Sequence, residues 1–247
     1  MKKFLHEMAS RGGKLWFAVA ACAVLAAVAF QIDHAAAAFV RDVIKGRPPL
    51  IVHLFSNLGD GETLALVFAI LIILYGEVRT GAGGFIGVTG AGMTADLLRA
   101  LFHRTRPDMS PYSFPSAHAA CAFAAAVVLA HRWPKRWYAF YLLAAAVAAA
   151  RVTLLKHFPS DVLAGAALGM TFGLAGLVVA EKIKFASDPV TVRRAKAILA
   201  VLLVMSVVVS RYWVEPVALV AAPAVLLVLA RQAATPLEAR LSHDEQA

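Results

Sequence analysis

Charge is scarce in this chain. Only 16% of its 247 residues are Asp, Glu, Lys or Arg, while 61% are hydrophobic. A soluble domain carries about a quarter charged residues, so a single water-exposed globule is excluded. Acidic residues are scarcer still: 15 Asp and Glu stand against 24 Lys and Arg, a formal net charge of +9. In a soluble protein that excess would point to nucleic acid. Here the cations fall in short clusters between apolar runs, which suits membrane topology and an anionic substrate, with no nucleic-acid partner. Cysteine is nearly missing too. Cys22 and Cys121 both sit inside apolar runs, without the spacing of a metal or redox motif, so they read as small buried hydrophobes and no disulfide is expected.

What is present is a succession of apolar runs. A spanning helix needs roughly 20 mostly apolar residues, and candidates lie at 15–31, 62–78, 81–102, 116–133, 136–152, 162–180, 195–213 and 214–231. The fold class is therefore all-α, a polytopic membrane helical bundle. Lys2 and Lys3 ahead of an apolar run, with alanines at 35–38, resemble a secretory signal. The run to Ile32 is longer than a signal core, so an uncleaved first helix is expected. With the N-terminus in the cytoplasm and alternating helices, most Lys and Arg fall on the inner side. The expected orientation is both termini cytoplasmic, in a bacterial-type inner membrane.

Three stretches then fall at helix ends on one side, the outer one. "RALFHRTRP" ends the third run, "FPSAHAA" opens the fourth, and "ARVTLLKHFPSD" joins the fifth to the sixth. Arg99, Arg106, His118, Arg151, His157 and Asp161 converge there. Guanidinium forks match phosphate oxygens bidentately and stay charged. Ser116 is a natural N-cap after Pro115, and the free N–H groups and dipole of a helix start favour an anion. His157 and Asp161 are four apart, so the carboxylate can hold one ring nitrogen and leave the other as a nucleophile. His118 is available as a general acid. Arg99, Arg106 and Arg151 would stabilise charge on the transferring phosphoryl group. With no carboxylate cluster, no metal and no cofactor are expected.

This pattern resembles the type-2 phosphatidic acid phosphatase superfamily, which carries K-x6-R-P, then P-S-G-H, then S-R-x5-H-x3-D. The chain reads Arg99-x6-Arg106-Pro107, Pro115-Ser116-Ala117-His118 and Ala150-Arg151-x5-His157-x3-Asp161. The resemblance implies a metal-independent lipid phosphatase. In it His157 is the nucleophile, Asp161 its orienting partner and His118 the acid. Arg99, Arg106, Ser116, Arg151 and the backbone N–H of Ala117 would bind phosphate. It also implies a six-transmembrane phosphatase core, placed at 1–180; the apolar runs beyond it lie outside the usual six helices and make 181–247 a cytoplasmic loop, an extra helical pair and a tail. There are three departures: Arg99 stands for Lys, Ala117 for Gly, which is tolerable where φ is negative, and Ala150 for Ser, losing a hydroxyl.

The substrate is expected to be a lipid phosphomonoester or diphosphate: undecaprenyl diphosphate, phosphatidylglycerol phosphate, phosphatidic acid or a lipid A phosphate. The absence of an obvious aromatic cluster near the motifs weighs slightly against a large glycolipid. A lipid phosphotransferase of the same fold, or a non-catalytic lipid-binding relative, are the alternatives. Outside the motifs, Arg104 reads as a headgroup anchor, and Asp96 either as a partner of Arg99 or as a solvated or polar-lumen residue. Lys156 reads as an aid to substrate attraction or a headgroup contact. His6, His34, His53, His103, His131 and His243 have no assigned role. The segment from Asp33 to Asp60 reads as an amphipathic element on the membrane surface or a simple loop.

Overall fold

The computed structural model describes residues 2–44 and 48–183, and beyond them only positions 193, 196 and 197. Among the described residues there are eight α-helices: α1 (Lys2–Ala29), α2 (Asp33–Val43), α3 (Leu50–Asn57), α4 (Gly61–Tyr75), α5 (Val78–Phe102), α6 (Ala117–Arg132), α7 (Trp137–Thr153) and α8 (Pro159–Lys182). A 3₁₀ turn at Pro134–Arg136 precedes α7, and the described residues contain no strand. The expected spans at 195–213 and 214–231 lie outside the described residues, apart from positions 196 and 197.

The chain forms two compact units, one of residues 1–68 with 79–184, the other of 69–78 with 185–247. The second is described mainly over 69–78, where α4 ends at Tyr75 and is followed by Gly76. That residue has φ +67, a left-handed conformation that glycine adopts without a steric penalty.

α5 and α8 are long and apolar enough to cross a membrane. Up to four spans result if each of two bent pairs counts as one: α1 with α2, bent by 80°, and α3 with α4, bent by 60°. α6 is apolar but has only 16 residues. At 1.5 Å per residue it is about 24 Å long, short of the roughly 30 Å hydrocarbon thickness. The segment 33–60 contains two short helices, α2 and α3, that leave apolar side chains such as Phe39, Val43, Leu50 and Leu54 exposed. Large apolar side chains such as Phe17, Leu25, Leu97, Leu101 and Leu142 stay on the outside. The core between α6, α7 and α8 is mostly Ala, Gly and Val. Small residues inside and large ones outside suit helices whose outer solvent is lipid.

α8 is the central packing element, and small residues explain why. A Cβ on Gly169 would lie 2.2 Å from the Ala120 carbonyl oxygen of α6, and one on Gly165 would lie 2.5 Å from the Ser116 oxygen. Backbones this close admit no side chain between them. The consequence for function is local: the first turn of α8 is held directly against the N-terminus of α6.

Candidate active site

The start of α6 is the centre of the site. Ser116 is its N-cap, fully buried, and its Oγ accepts from Ala119 N at 3.5 Å. Its own N–H donates to the Asp161 carbonyl at 3.0 Å, tying α6 to the first turn of α8. A hydroxyl that accepts at its lone pair still has its proton to give. Ala117 is the first helical residue and is absent from the positive-φ positions, so its methyl is tolerated where the superfamily pattern has glycine.

His118 follows on the first turn of α6, half-buried, within electrostatic reach of Arg151, His157, Arg99 and Arg106. The corner at Gly59 presses on it from α3: a Cβ there would lie 3.0 Å from the His118 carbonyl and 2.3 Å from Val147 Cγ1. The three arginines reach this region from different elements. Arg99, in the last turn of α5, pairs with Asp96 at 2.8 Å, as expected. Arg106, in the loop after α5, is within 3.4 Å of the Tyr112 carbonyl through both Nε and Nη2. Burial and the neighbouring Arg99 lower its pKa from the ordinary arginine value. Arg151, in the last turn of α7, donates through Nη1 to Ser56 Oγ at 2.7 Å. The Nε atoms of Arg99 and Arg151 are buried with no hydrogen-bond partner among the described residues. A buried donor without an acceptor costs roughly 1–3 kcal/mol, and an anion between the forks would remove that cost.

His157 sits on the tight turn that reverses the chain between α7 and α8. Leu155 takes φ +55 there, and the N–H groups of Lys156 and His157 both donate to the Arg151 carbonyl, at 3.1 and 3.3 Å. The His157 side chain is 1% exposed. Its Nδ1 lies 2.7 Å from the Ser113 carbonyl and 3.7 Å from Asp161 Oδ2. The geometry refines the expectation: Asp161 is beside the ring, but the shorter bond goes to a backbone carbonyl. A carbonyl only accepts, so Nδ1 carries the proton and Nε2 carries the lone pair. Burial, opposed by Asp161, lowers the His157 pKa to about 4, leaving the ring neutral and nucleophilic near pH 7.

The residues around Asp161 are where sequence reasoning missed most. Arg104, read as a headgroup anchor, turns inward. It donates through Nη1 to Asp161 Oδ1 at 2.7 Å and Ser160 Oγ at 2.8 Å, and through Nη2 to Asp33 Oδ2 at 2.6 Å. Its guanidinium lies between the rings of Phe30 and Phe158, at 4.6 and 4.3 Å. Asp33 is fully buried, accepts from Ser160 N at 3.1 Å and also from Ser160 Oγ. Asp161 Oδ2 accepts from Phe158 N at 2.8 Å and from Ser113 Oγ. Asp33, Ser56, Ser113 and Ser160 had no assigned role in the sequence. The signal that could have found Asp33 is an acidic residue interrupting an apolar run, which demands a cation at depth.

Two loops meet beside the candidate site. Lys156 Nζ lies 2.7 Å from Asp108 Oδ2, and Asp108 Oδ1 accepts from Ser110 Oγ at 2.6 Å. Burial works against ionisation of Asp108, but its bonds from Lys156 and Ser110 hold its pKa at about 2. Lys156 therefore has a loop partner beyond the headgroup contact expected. Two ring pairs lie in and beside this loop: Phe102 packs edge-on to Phe114 at 5.1 Å, and His103 lies 5.5 Å from Tyr112.

Similar proteins share this region. Lipid A 1-phosphatase of Rhizobium johnstonii is 33% identical over 115 residues, 40% of this chain and 47% of that protein. Decaprenylphosphoryl-5-phosphoribose phosphatase of Mycobacterium tuberculosis is 37% identical over 103 residues, 38% of this chain and 55% of that one. The chain thus spans about half the length of these curated relatives, and 20% of the lipid A 1-phosphatase of Porphyromonas gingivalis. The crystal structure of Aquifex aeolicus LpxE matches with a TM-score of 0.50 and 26% identity, over 57% of this chain and 93% of that one. A transmembrane PAP2 type phosphatidylglycerolphosphate phosphatase from Bacillus subtilis shares the fold, with a TM-score of 0.54, 23% identity and coverage of 69% and 96%. The family match covers residues 81–185, which include every motif position from Arg99 to Asp161. The chain carries a PAP2 superfamily domain at residues 81–185.

Proposed function

We propose that this protein is an integral membrane lipid phosphatase working through a phosphohistidine. His157 Nε2 attacks phosphorus, and the N–P bond forms as the bond to the lipid oxygen breaks. His118 gives its proton to that leaving oxygen. Water then attacks the phosphohistidine, His118 takes the water's proton, and the N–P bond breaks to release inorganic phosphate and neutral His157. Arg99, Arg106 and Arg151, with the Ser116 hydroxyl and the Ala117 N–H, bind the phosphoryl oxygens and offset their charge without a metal. The observation that carries this reading is the 2.7 Å contact from His157 Nδ1 to the Ser113 carbonyl, because it leaves Nε2 unprotonated.

The distribution of Lys and Arg supports a site on the outer face with the N-terminus cytoplasmic. Among substrates, the relatives' names favour a lipid A phosphate or a polyprenyl-linked phosphosugar, and the names of the structural neighbours leave phosphatidylglycerol phosphate in the panel. The aromatic residues beside the site suit a sugar face.

The test is phosphate release by the detergent-purified chain from lipid A phosphate, phosphatidylglycerol phosphate, phosphatidic acid and undecaprenyl diphosphate, with EDTA present, beside His157→Ala. Release from at least one lipid, lost in the variant, is the expected result. No release from any of the four, or release that EDTA abolishes, would overturn the reading.

A further inference from the structure

Arg104 stands between two motif arginines in sequence, yet its contacts lie behind the site. Its side chain is only 16% exposed, and it bridges two carboxylates, Asp33 and Asp161, that are both fully buried. Asp33 comes from the elbow between α1 and α2, before the matched PAP2 domain; Arg104 follows α5; Asp161 opens α8. Two anions share the N-terminus of α8 with a single guanidinium between them. Remove it, and the two carboxylates face each other across Ser160 with no cation between them, in a site closed to water.

The geometry points to Arg104 as the positioning residue of the proposed active site: held by Asp33, it fixes the carboxylate of Asp161 and through it the ring of His157. This inference rests on the reading of His157 as nucleophile. Asp161 divides its two oxygens. Oδ1 belongs to Arg104, at 2.7 Å; Oδ2 takes the Phe158 N–H and the Ser113 hydroxyl, and faces His157. Fixing Oδ1 therefore fixes where Oδ2 lies relative to Nδ1. Ser113 is shared, since its hydroxyl holds Asp161 and its carbonyl holds His157. Arg104 also sets the charge behind the ring: it compensates the carboxylate that would otherwise draw on the Nδ1 proton. The other charged and titratable groups facing His157 are Arg151 from α7, Arg106 from the loop after α5 and His118 from α6. None of these bonds to Arg104 in the contacts described above.

The experiment is a titration of the ¹⁵N-labelled His157 ring by NMR in the full-length detergent-solubilised chain, set beside turnover, for wild type, Arg104→Gln, Arg104→Lys and Asp33→Asn. Arg104→Gln removes a positive charge behind the ring, so His157 should titrate at higher pH. Asp33→Asn leaves the charge of Arg104 uncompensated, so the titration should move to lower pH. A loss of packing alone would not move the two variants in opposite directions. Turnover of Arg104→Gln should fall about 10- to 100-fold with KM within about twofold, the signature of misplacement. Arg104→Lys should restore the titration but only part of kcat, because one ammonium cannot span both carboxylates and Ser160. An unmoved His157 titration in both Arg104→Gln and Asp33→Asn would overturn the proposal. If Arg104→Gln does not fold, the direction seen in Asp33→Asn decides alone. Because the titration needs no turnover, a wild type that releases no phosphate would sink the hydrolase reading and still leave the role of Arg104 measurable.

Discussion

The Nδ1 atom of His157 lies 2.7 Å from the carbonyl oxygen of Ser113, closer than the 3.7 Å that separates it from the carboxylate of Asp161. Two acceptors thus share the task of orienting one imidazole, and they are unequal. The backbone carbonyl sets the tautomer, while the carboxylate supplies charge. Asp161→Asn should therefore be milder than His157→Ala, because the ring keeps its shorter bond. We expect a loss of about 10- to 100-fold in kcat for Asp161→Asn and no measurable turnover for His157→Ala, read from initial rates on the lipid that the wild type hydrolyses best.

Ser56 holds Arg151 from outside the PAP2 domain, through a 2.7 Å bond to Nη1. Ser56→Ala removes that partner and frees the guanidinium to swing. The loss falls on phosphate binding, so KM should rise about three- to tenfold, the equivalent of a neutral hydrogen bond, with kcat nearly unchanged. An unchanged KM would show that Arg151 is held by other means.

pH dependence has a definite sign. His157 has a folded pKa near 4, below its ordinary 6.5. Between those values the unfolded chain binds a proton that the folded chain refuses, so stability rises with pH across that window and is lost as pH falls through it. Catalysis should follow the same group: the acid limb of kcat/KM should lie near pH 4 and not near 6.5. Thermal unfolding and rate profiles from pH 4 to 7 check both statements.

Gly169 shows how tightly α8 and α6 are packed. A Cβ there would fall 2.2 Å from the Ala120 carbonyl, a backbone atom that cannot give way. Gly169→Val should cost about 1–3 kcal/mol of stability through overpacking. Activity should fall with it, since the same helix pair positions Ser116 and Asp161. A melting temperature within about a degree of wild type would contradict this packing.

Arg99, Arg106, His118, Arg151, His157 and Asp161 stood out in the sequence because their order and spacing match the superfamily pattern, and the structure brings them within electrostatic reach of one another. Helix boundaries along 116–133, 136–152 and 162–180 were legible too, since apolar runs end where Arg, Pro or Lys begins; α6, α7 and α8 differ from them by one to three residues at each end. What was not legible is closure. Asp33 meets Arg104 across 71 positions, and Ser56 meets Arg151 across 95. No local periodicity announces such contacts. Arg104 looked like a headgroup anchor because its three acceptors, Asp33, Ser160 and Asp161, are remote in sequence. Gly165, Gly169 and Gly173 are a different matter. Their four-residue repeat is the small-residue spacing of close helix pairs, and it stood in the sequence unread.

The central claim is a covalent bond between phosphorus and His157, and trapping tests it most directly. The purified chain would be mixed with a ³²P-labelled lipid phosphate that it hydrolyses, quenched in alkali within the first turnover and digested. Label on the peptide containing His157, stable in alkali, released in acid and absent from His157→Ala, is the predicted result. Turnover with no label on that peptide, or hydrolysis that persists in His157→Ala, would contradict the account.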